Sequence, residues 1–200
     1  MADTSNRAPI ERRAMVREVL RDRGDMLVVA GLGSAIWDAE AAGETPLNFY
    51  LLGAMGSVVP TALGLAIAQP SRRVLALTGD AELLMGLGCL PTVGLRRPGN
   101  LAIVVIDNGR FGETGSQVSH TAHATDLAGI ARASGIAAET VDDADELPRL
   151  RRLVHDGEGL ILANVRVGAE MPPVVMPIRD GATGARLFRR TLLGEAALKE

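Results

Sequence analysis

Two pairs of polar residues follow two apolar segments in the middle of the chain. Gly79-Asp80 comes shortly after residues 74–77, and Asp107-Asn108 comes directly after residues 101–106. Because ligands of an open parallel sheet bind outside the carboxyl ends of its strands, we expect Asp80 and Asn108 at the same edge. A carboxylate, an amide oxygen and a backbone carbonyl suit Mg²⁺, while backbone amides that open a helix suit phosphate oxygens. The sequence therefore predicts a magnesium-diphosphate site.

Strand-like and helix-like segments alternate through most of the chain. Strands are predicted at residues 25–30, 48–52, 74–77, 101–106, 137–141 and 160–167, and helices at residues 9–23, 60–69, 81–90, 126–135 and 147–155. This alternation predicts an α/β fold, a doubly wound and mostly parallel sheet with helices on both faces. The helix over residues 60–69 is apolar on every side, which predicts that it is buried.

The length and the last thirty residues indicate one main domain with an extension. Two hundred residues suit one domain or one domain with an appendage. We place the domain at residues 1–170 and the extension at residues 171–200. Residues 171–177 contain three prolines, so they suit neither a helix nor a central strand. We expect an extended arm that lies on a neighbouring subunit, followed by a short final helix over residues 186–199.

Composition excludes several classes of function. The net charge of −3, with acidic and basic residues mixed, gives no reason to expect nucleic acid as a partner. The single cysteine, Cys89, excludes an internal disulfide and an Fe–S cluster built by this chain alone. No segment has 18 uninterrupted apolar residues, and residues 1–13 lack the apolar core of a signal peptide. We therefore expect no membrane partner and a cytoplasmic location.

The spacing of these motifs resembles a known family. Asp80 and Asn108 are 28 positions apart, and Gly53-Ala54-Met55-Gly56 precedes the apolar helix. Over residues 10–170 the chain is similar to thiamine-diphosphate-dependent 2-oxo acid decarboxylases. Within them it resembles the family of sulfopyruvate decarboxylase beta subunits and the matching half of phosphonopyruvate decarboxylase. The resemblance implies the thiamine-diphosphate-binding fold of the diphosphate-binding (PP) domain.

The resemblance also implies thiamine diphosphate and Mg²⁺ as cofactors and assigns residues to them. The metal ligands would be Asp80, Asn108 and the backbone carbonyl of Arg110. Met55 would support the bent cofactor under its thiazolium ring, and Gly53 would offer a carbonyl to the aminopyrimidine ring. The other predicted cofactor contacts are Gly33, Ser34, Ala54, Gly79, Ala81, Glu82, Phe111, Gly112 and Glu113.

Two parts of the predicted site leave their roles open. Family members commonly carry Gly-Ser where this chain has Ala81-Glu82. The Glu82 carboxylate would lie near phosphate, so we expect its side chain to turn outward or to pair with a cation. In the loop at residues 110–123, His120 could donate a proton or bind an anionic head group. It could equally be an ordinary surface histidine, and the role of His123 is open.

The resemblance implies an incomplete active site. Family members carry an activating glutamate on a separate pyrimidine-binding domain, and no second domain fits in these 200 residues. We therefore expect a complementary subunit, a hetero-oligomer with two copies of each chain, and a small anionic 2-oxo acid as substrate. Two alternatives remain: a half-site of a carboligase of acetolactate-synthase type, and a structural homologue without chemistry.

Trp37 is expected in the core or at a subunit surface.

Overall fold

A single six-stranded parallel sheet forms the centre of the computed structural model, which describes residues 8–198. Its strands are β1 (Leu27–Gly31), β2 (Asn48–Leu51), β3 (Val74–Gly79), β4 (Leu101–Asp107), β7 (Ala137–Val141) and β8 (Ile161–Arg166). They follow the spatial order β2-β1-β3-β4-β8-β7. A separate antiparallel pair consists of β5 (Arg110–Phe111) and β6 (Gln117–Val118).

Helices cover both faces of this sheet. They are α1 (Arg12–Leu20), α2 (Ser34–Ala41), α3 (Val58–Ala68), α4 (Asp80–Met85), α5 (Leu90–Arg96), α6 (Leu127–Ala133), α7 (Leu147–Asp156) and α8 (Gly181–Leu193). One buried apolar cluster lies between the sheet and α1, α2 and α7. The second lies between the sheet and α3, α5, α6 and α8. The predicted doubly wound α/β fold is confirmed.

The central strands are almost entirely apolar, with polar side chains only near their carboxyl ends, because both of their sides are covered. Every residue of β1 and β4 is buried, as expected for a parallel sheet between two helical layers. In the register of β3 and β4, Gly79 pairs with Ile106. Asp80 and Asp107 therefore both follow this pair at the same edge of the sheet, next to the turn that follows β1. The expectation that the two polar motifs lie at the same edge of the sheet is confirmed, and their strands are direct neighbours.

Two expectations about helices are wrong. The helical segment after Asp80 is interrupted at Gly86, after which a 3₁₀ turn (Leu87–Cys89) leads into α5. Gly86 lies against the backbone of Gly56, and this close approach redirects the chain. Helix α3 is not buried all round, since the side chain of Ile67 is 52% exposed. Only one face of α3 packs on the sheet, and its apolar outer face is left uncovered in the single chain.

The C-terminal segment combines an extended part with a docked helix. Residues 168–178 have no regular secondary structure, and Met171, Val174 and Met176 are exposed. Helix α8 begins earlier than expected and packs on β2, where the rings of Phe49 and Phe188 have centroids 5.3 Å apart. The domain boundary and the arm's contact with another subunit stay predictions. Within residues 8–198, no helix is long and apolar enough to span a bilayer.

Candidate functional site

A small cavity of about 70 Å³ opens at the carboxyl ends of β1, β3 and β4. Its wall includes ten of the residues predicted from the sequence: Ser34, Met55, Gly79, Asp80, Ala81, Glu82, Asn108, Arg110, Gly112 and Glu113. They come from four separate connections, those after β1, β2, β3 and β4. The parallel register brings these connections together, because each one leaves the sheet at the same edge.

The other predicted residues lie around this cavity rather than in its wall. Gly33 has a φ of +78°, and a methyl group at this position would overlap the Glu113 carboxylate. Gly53 and Ala54 lead into Met55. Phe111 and His120 form an edge-to-face pair with ring centroids 6.4 Å apart, and His120 is exposed. The structure therefore does not bring His120 into the cavity, and its role stays a prediction.

Asp80 is a buried carboxylate with a defined set of donors. It is 1% exposed, and its Oδ2 accepts hydrogen bonds from Ser119 Oγ and, at 2.9 Å, from Thr121 Oγ1. Burial raises the pKa of Asp80, and the hydroxyl of Ser119 partly offsets this shift. Both hydroxyls bind Oδ2, so Oδ1 carries no side-chain hydrogen bond from the described residues. That oxygen is the one best placed to serve as a ligand.

A second carboxylate extends the same hydrogen-bond network. Asp107 Oδ1 lies 2.7 Å from Thr121 Oγ1, whose single proton is shared between the Asp80 and Asp107 carboxylates, and Asp107 Oδ2 accepts from Asn164 Nδ2 at 2.9 Å. Sequence reasoning did not single out Ser119, Thr121 or Asn164 as functional. The only local signal was Asn164, a polar residue within the apolar strand β8. Ser119 and Thr121 lie on a loop whose sequence does not indicate which residues their hydroxyls contact.

The Asn108 side chain is held by its own turn. Its Oδ1 accepts a hydrogen bond from the backbone N–H of Arg110 at 3.0 Å, which fixes the side chain above the end of β4. An amide oxygen has two lone pairs, so this bond leaves one of them for a cation. The Arg110 guanidinium is turned away toward the carbonyl of Ser116, at 3.0 Å.

Glu82 turns inward, so the expectation of an outward side chain or a cationic partner is wrong. It is 4% exposed, and its Oε2 accepts a hydrogen bond from Thr78 Oγ1 at 3.0 Å. The carboxyl packs on Gly31, where any Cβ would overlap it. Burial raises the pKa of Glu82 to about 7, and Oε1 is buried with no hydrogen-bond partner among residues 8–198. No counter-ion accompanies this carboxyl among the described residues, and its burial favours the protonated, neutral form.

Seven further residues of the wall were not predicted as site residues: Arg12, Leu32, Trp37, Ile106, Ser116, Ala169 and Met171. Trp37 is partly buried against the core, as expected, but it also borders the cavity. Arg12 and Met171 come from opposite ends of the described chain. Their presence depends on the return of the C-terminal segment across α1, where Glu170 Oε1 accepts from the backbone N–H of Arg12 at 2.9 Å.

The donors of this cavity fit a magnesium-diphosphate group. Within the described residues, no three His, Cys, Asp or Glu side chains are grouped to hold a metal. The predicted set is of another kind, because it combines the Asp80 carboxylate with the Asn108 amide oxygen and a backbone carbonyl. These are hard oxygen donors of the type that Mg²⁺ takes when its remaining ligands are phosphate and water.

Comparison with known proteins agrees with this arrangement. Residues 33–165 match the model of the thiamine pyrophosphate enzyme C-terminal TPP binding domain. The chain is 35% identical to the sulfopyruvate decarboxylase subunit beta of Methanothermobacter thermautotrophicus over 83% of this chain and 88% of that protein. It is 36% identical to the phosphonopyruvate decarboxylase of Streptomyces viridochromogenes over 82% of this chain and 42% of that protein.

A solved structure supports the fold alone. A putative thiamin diphosphate-dependent enzyme from Mycobacterium smegmatis superposes with a TM-score of 0.69 at 22% identity, over 82% of this chain and 32% of that chain. The matched segment begins directly after β1, extends into β8 and includes every residue of the cavity wall except Arg12, Leu32, Ala169 and Met171. The chain therefore belongs to the thiamine pyrophosphate enzymes and carries their C-terminal TPP-binding domain.

Proposed function

We propose that this chain is the beta subunit of a heteromeric, thiamine-diphosphate-dependent decarboxylase of a small anionic 2-oxo acid. Its task would be to bind the magnesium-diphosphate end of the cofactor. One observation supports this most: Ser34, Met55, Asp80 and Asn108 reach a single cavity from four different connections. The names of the relatives, sulfopyruvate decarboxylase subunit beta and phosphonopyruvate decarboxylase, support the reaction and the substrate class.

The residues of this chain would bind and orient the cofactor. Asp80, Asn108 and the carbonyl of Arg110 would hold Mg²⁺, and the backbone N–H groups of Ala81 and Glu82 would donate to phosphate oxygens. When bound, thiamine diphosphate supplies an electron sink for the carbanion left by decarboxylation. Met55, on the wall of the cavity, would support the bent cofactor, and the carbonyl of Gly53 would orient its aminopyrimidine ring.

The remaining groups would exclude water and handle the substrate. Loops at this edge of a sheet often close over a bound substrate. His120 lies in the 3₁₀ turn after β6, where it would donate a proton or bind the anionic head group once that loop closes. The Asp80 hydrogen bonds to Ser119 and Thr121 connect the same loop to the metal site. Cofactor binding and loop position would therefore be coupled through one carboxylate.

The chain would need a partner to complete the site. The relative from M. thermautotrophicus is named as a subunit, and the present chain spans 88% of it, whereas it spans 42% of the phosphonopyruvate decarboxylase. The partner would supply the pyrimidine-binding domain and its activating glutamate. Glu82 cannot replace that glutamate, because it is enclosed between Thr78 and Gly31. We propose a tetramer with two copies of each chain.

The decisive experiment compares this chain alone with the chain mixed with its pyrimidine-domain partner. Each sample receives thiamine diphosphate, Mg²⁺ and either sulfopyruvate or phosphonopyruvate, and carbon dioxide release is measured together with the organic product. We expect release only from the mixture. Full activity of a preparation that contains only this polypeptide would refute the split site. A condensed hydroxy-keto acid as product would instead favour a carboligase.

A further inference from the structure

Arg12 is a buried arginine whose position suggests more than a structural role. It is the first residue of α1, it is 4% exposed, and it borders the cavity together with Ser34, Asp80 and Asn108. Its Nε donates to Asp38 Oδ2 in α2. Arginine is almost never buried without a partner for its charge, so the charges around Arg12 decide what it can do.

The carboxylate next to Arg12 is shared with a second arginine. Asp38 is fully buried, and its other oxygen, Oδ1, accepts from Arg13 Nε at 2.9 Å. One negative charge thus faces two guanidinium groups, which leaves this cluster with a net positive charge. Glu170 does not neutralise it by an ion pair, because its bond runs to the backbone N–H of Arg12 rather than to the guanidinium.

The outer nitrogens of Arg12 remain available. Neither Nη1 nor Nη2 has a hydrogen-bond partner among residues 8–198, since Nε makes the only side-chain bond of Arg12 there. In the same part of the chain, three side-chain atoms are both enclosed and without a hydrogen-bond partner, and none of them belongs to Arg12: Glu82 Oε1, Glu139 Oε1 and Asn164 Oδ1. The outer nitrogens of Arg12 are therefore not sealed in the core. The space that Arg12 borders is the cavity.

We propose that Arg12 is an anion-binding residue of this cavity, with its outer guanidinium nitrogens donating to an oxyanion of the bound ligand. The guanidinium geometry matches the paired oxygens of phosphate, phosphonate or sulfonate. Two ligands carry such groups here, the diphosphate of the cofactor and the head group of an anionic 2-oxo acid. This inference rests on the proposed function and adds a residue from outside the matched segment 33–165.

Arg13 provides a matched control. It binds the same Asp38 carboxylate, but it does not border the cavity. Its Nη2 donates to the carbonyl of Pro173 at 2.8 Å instead. If Arg12 served only to join α1 to α2, then Arg12→Gln and Arg13→Gln would have similar consequences. An anion-binding role predicts that only the Arg12 change weakens a ligand.

The test uses the chain assembled with its partner and the variants Arg12→Gln, Arg12→Lys and Arg13→Gln. Thiamine diphosphate with Mg²⁺ is titrated against the fluorescence of Trp37, the only tryptophan of this chain, which borders the same cavity. Tryptophans of the partner are replaced by phenylalanine if they interfere. KM is then measured at saturating cofactor for sulfopyruvate, phosphonopyruvate and pyruvate, which lacks an anionic head group. Melting temperatures show whether each variant folds.

A diphosphate contact predicts that Arg12→Gln weakens thiamine diphosphate about 10- to 100-fold, the range of a charge-assisted hydrogen bond. A head-group contact predicts unchanged cofactor affinity and a similar rise in KM for sulfopyruvate and phosphonopyruvate but not for pyruvate. In either case Arg12→Lys should recover part of the loss, because it keeps the charge, and it serves as the test if Arg12→Gln does not fold.

Two results would overturn the inference. If Arg12→Gln and Arg13→Gln lose the same affinity and the same melting temperature, Arg12 only joins the two helices. If Arg12→Gln changes neither the affinity for thiamine diphosphate nor the KM for sulfopyruvate and phosphonopyruvate, Arg12 binds no ligand anion. A wild-type assembly that fails to bind thiamine diphosphate would refute the proposed function itself, which is a different outcome from equal behaviour of the two arginine variants.

Discussion

Gly86 provides a test of how the central helix positions the cofactor site. This glycine follows α4 with φ −108° and ψ 17°, a backbone conformation that alanine can adopt. The obstacle is space, because a Cβ built on Gly86 lies 2.1 Å from the carbonyl oxygen of Gly56 and 2.9 Å from its carbonyl carbon. Gly56 directly follows Met55, which borders the cavity. Gly86→Ala should therefore displace the Met55 loop.

The size of the effect follows from the overlap. Ordinary van der Waals contact begins near 3.4 Å, so the two backbone segments must separate by about 1.3 Å. Overpacking of this kind typically costs about 1–3 kcal/mol of unfolding free energy, which lowers the melting temperature of a domain this size by roughly 2–12 °C. A shift of about 1 Å in a positioning group can cost about 100-fold in turnover.

Gly88→Ala is the matched control for this change. Gly88 belongs to the 3₁₀ turn that follows Gly86, and a Cβ there meets nothing within 4 Å. We expect the control to melt at or slightly above the wild-type temperature. Melting is measured on the chain alone, and kcat and cofactor affinity are measured in the assembled enzyme. If both variants melt and turn over alike, then the Gly56–Gly86 contact does not position Met55.

Three further predictions concern the cavity and its surroundings. Asp80→Ala should lower the affinity for thiamine diphosphate in the presence of Mg²⁺ by at least about 10- to 100-fold, while the fold is retained. Titrations of the cofactor with and without Mg²⁺ test this, and an unchanged affinity would exclude Asp80 as a metal ligand. Met55→Ala should reduce kcat more than cofactor affinity, whereas equal losses together with a stability cost of about 2–5 kcal/mol would indicate ordinary packing. Burial raises the pKa of the Cys89 thiol, so less of it is thiolate in the folded chain at pH 8. Iodoacetamide should therefore modify Cys89 more slowly in the folded chain than in urea. Equal modification rates, measured by mass spectrometry, would contradict the raised pKa.

The sheet and the place of the metal ligands could be predicted from local patterns. Apolar segments of four to eight residues that alternate with helical segments indicate parallel strands covered on both faces. Polar residues at the ends of two such strands must then meet at one edge, and Asp80 and Asn108 do so. These inferences succeed because the period of apolar residues and the position after a strand are properties of short segments.

Contacts between distant segments were outside the reach of those patterns. The break at Gly86 depends on Gly56, thirty positions earlier, and the inward position of Glu82 depends on space left by Gly31. Asp80 and Asp107 accept hydrogen bonds from side chains of a loop, Ser119 and Thr121, and of strand β8, Asn164. These bonds form only because the loop and β8 return to the same edge of the sheet.

The sequence by itself therefore determined which elements form and which chemical groups lie at their ends. Tertiary structure decided which of those groups are buried, what they hydrogen-bond, and which residues join them from elsewhere in the chain. Arg12 shows the difference most clearly. In the sequence it is one of five arginines in the predicted helix over residues 9–23, while in the fold Asp38 neutralises only part of the charge of Arg12 and Arg13. Burial and charge balance are set by neighbours in space, and a single segment carries no information about them.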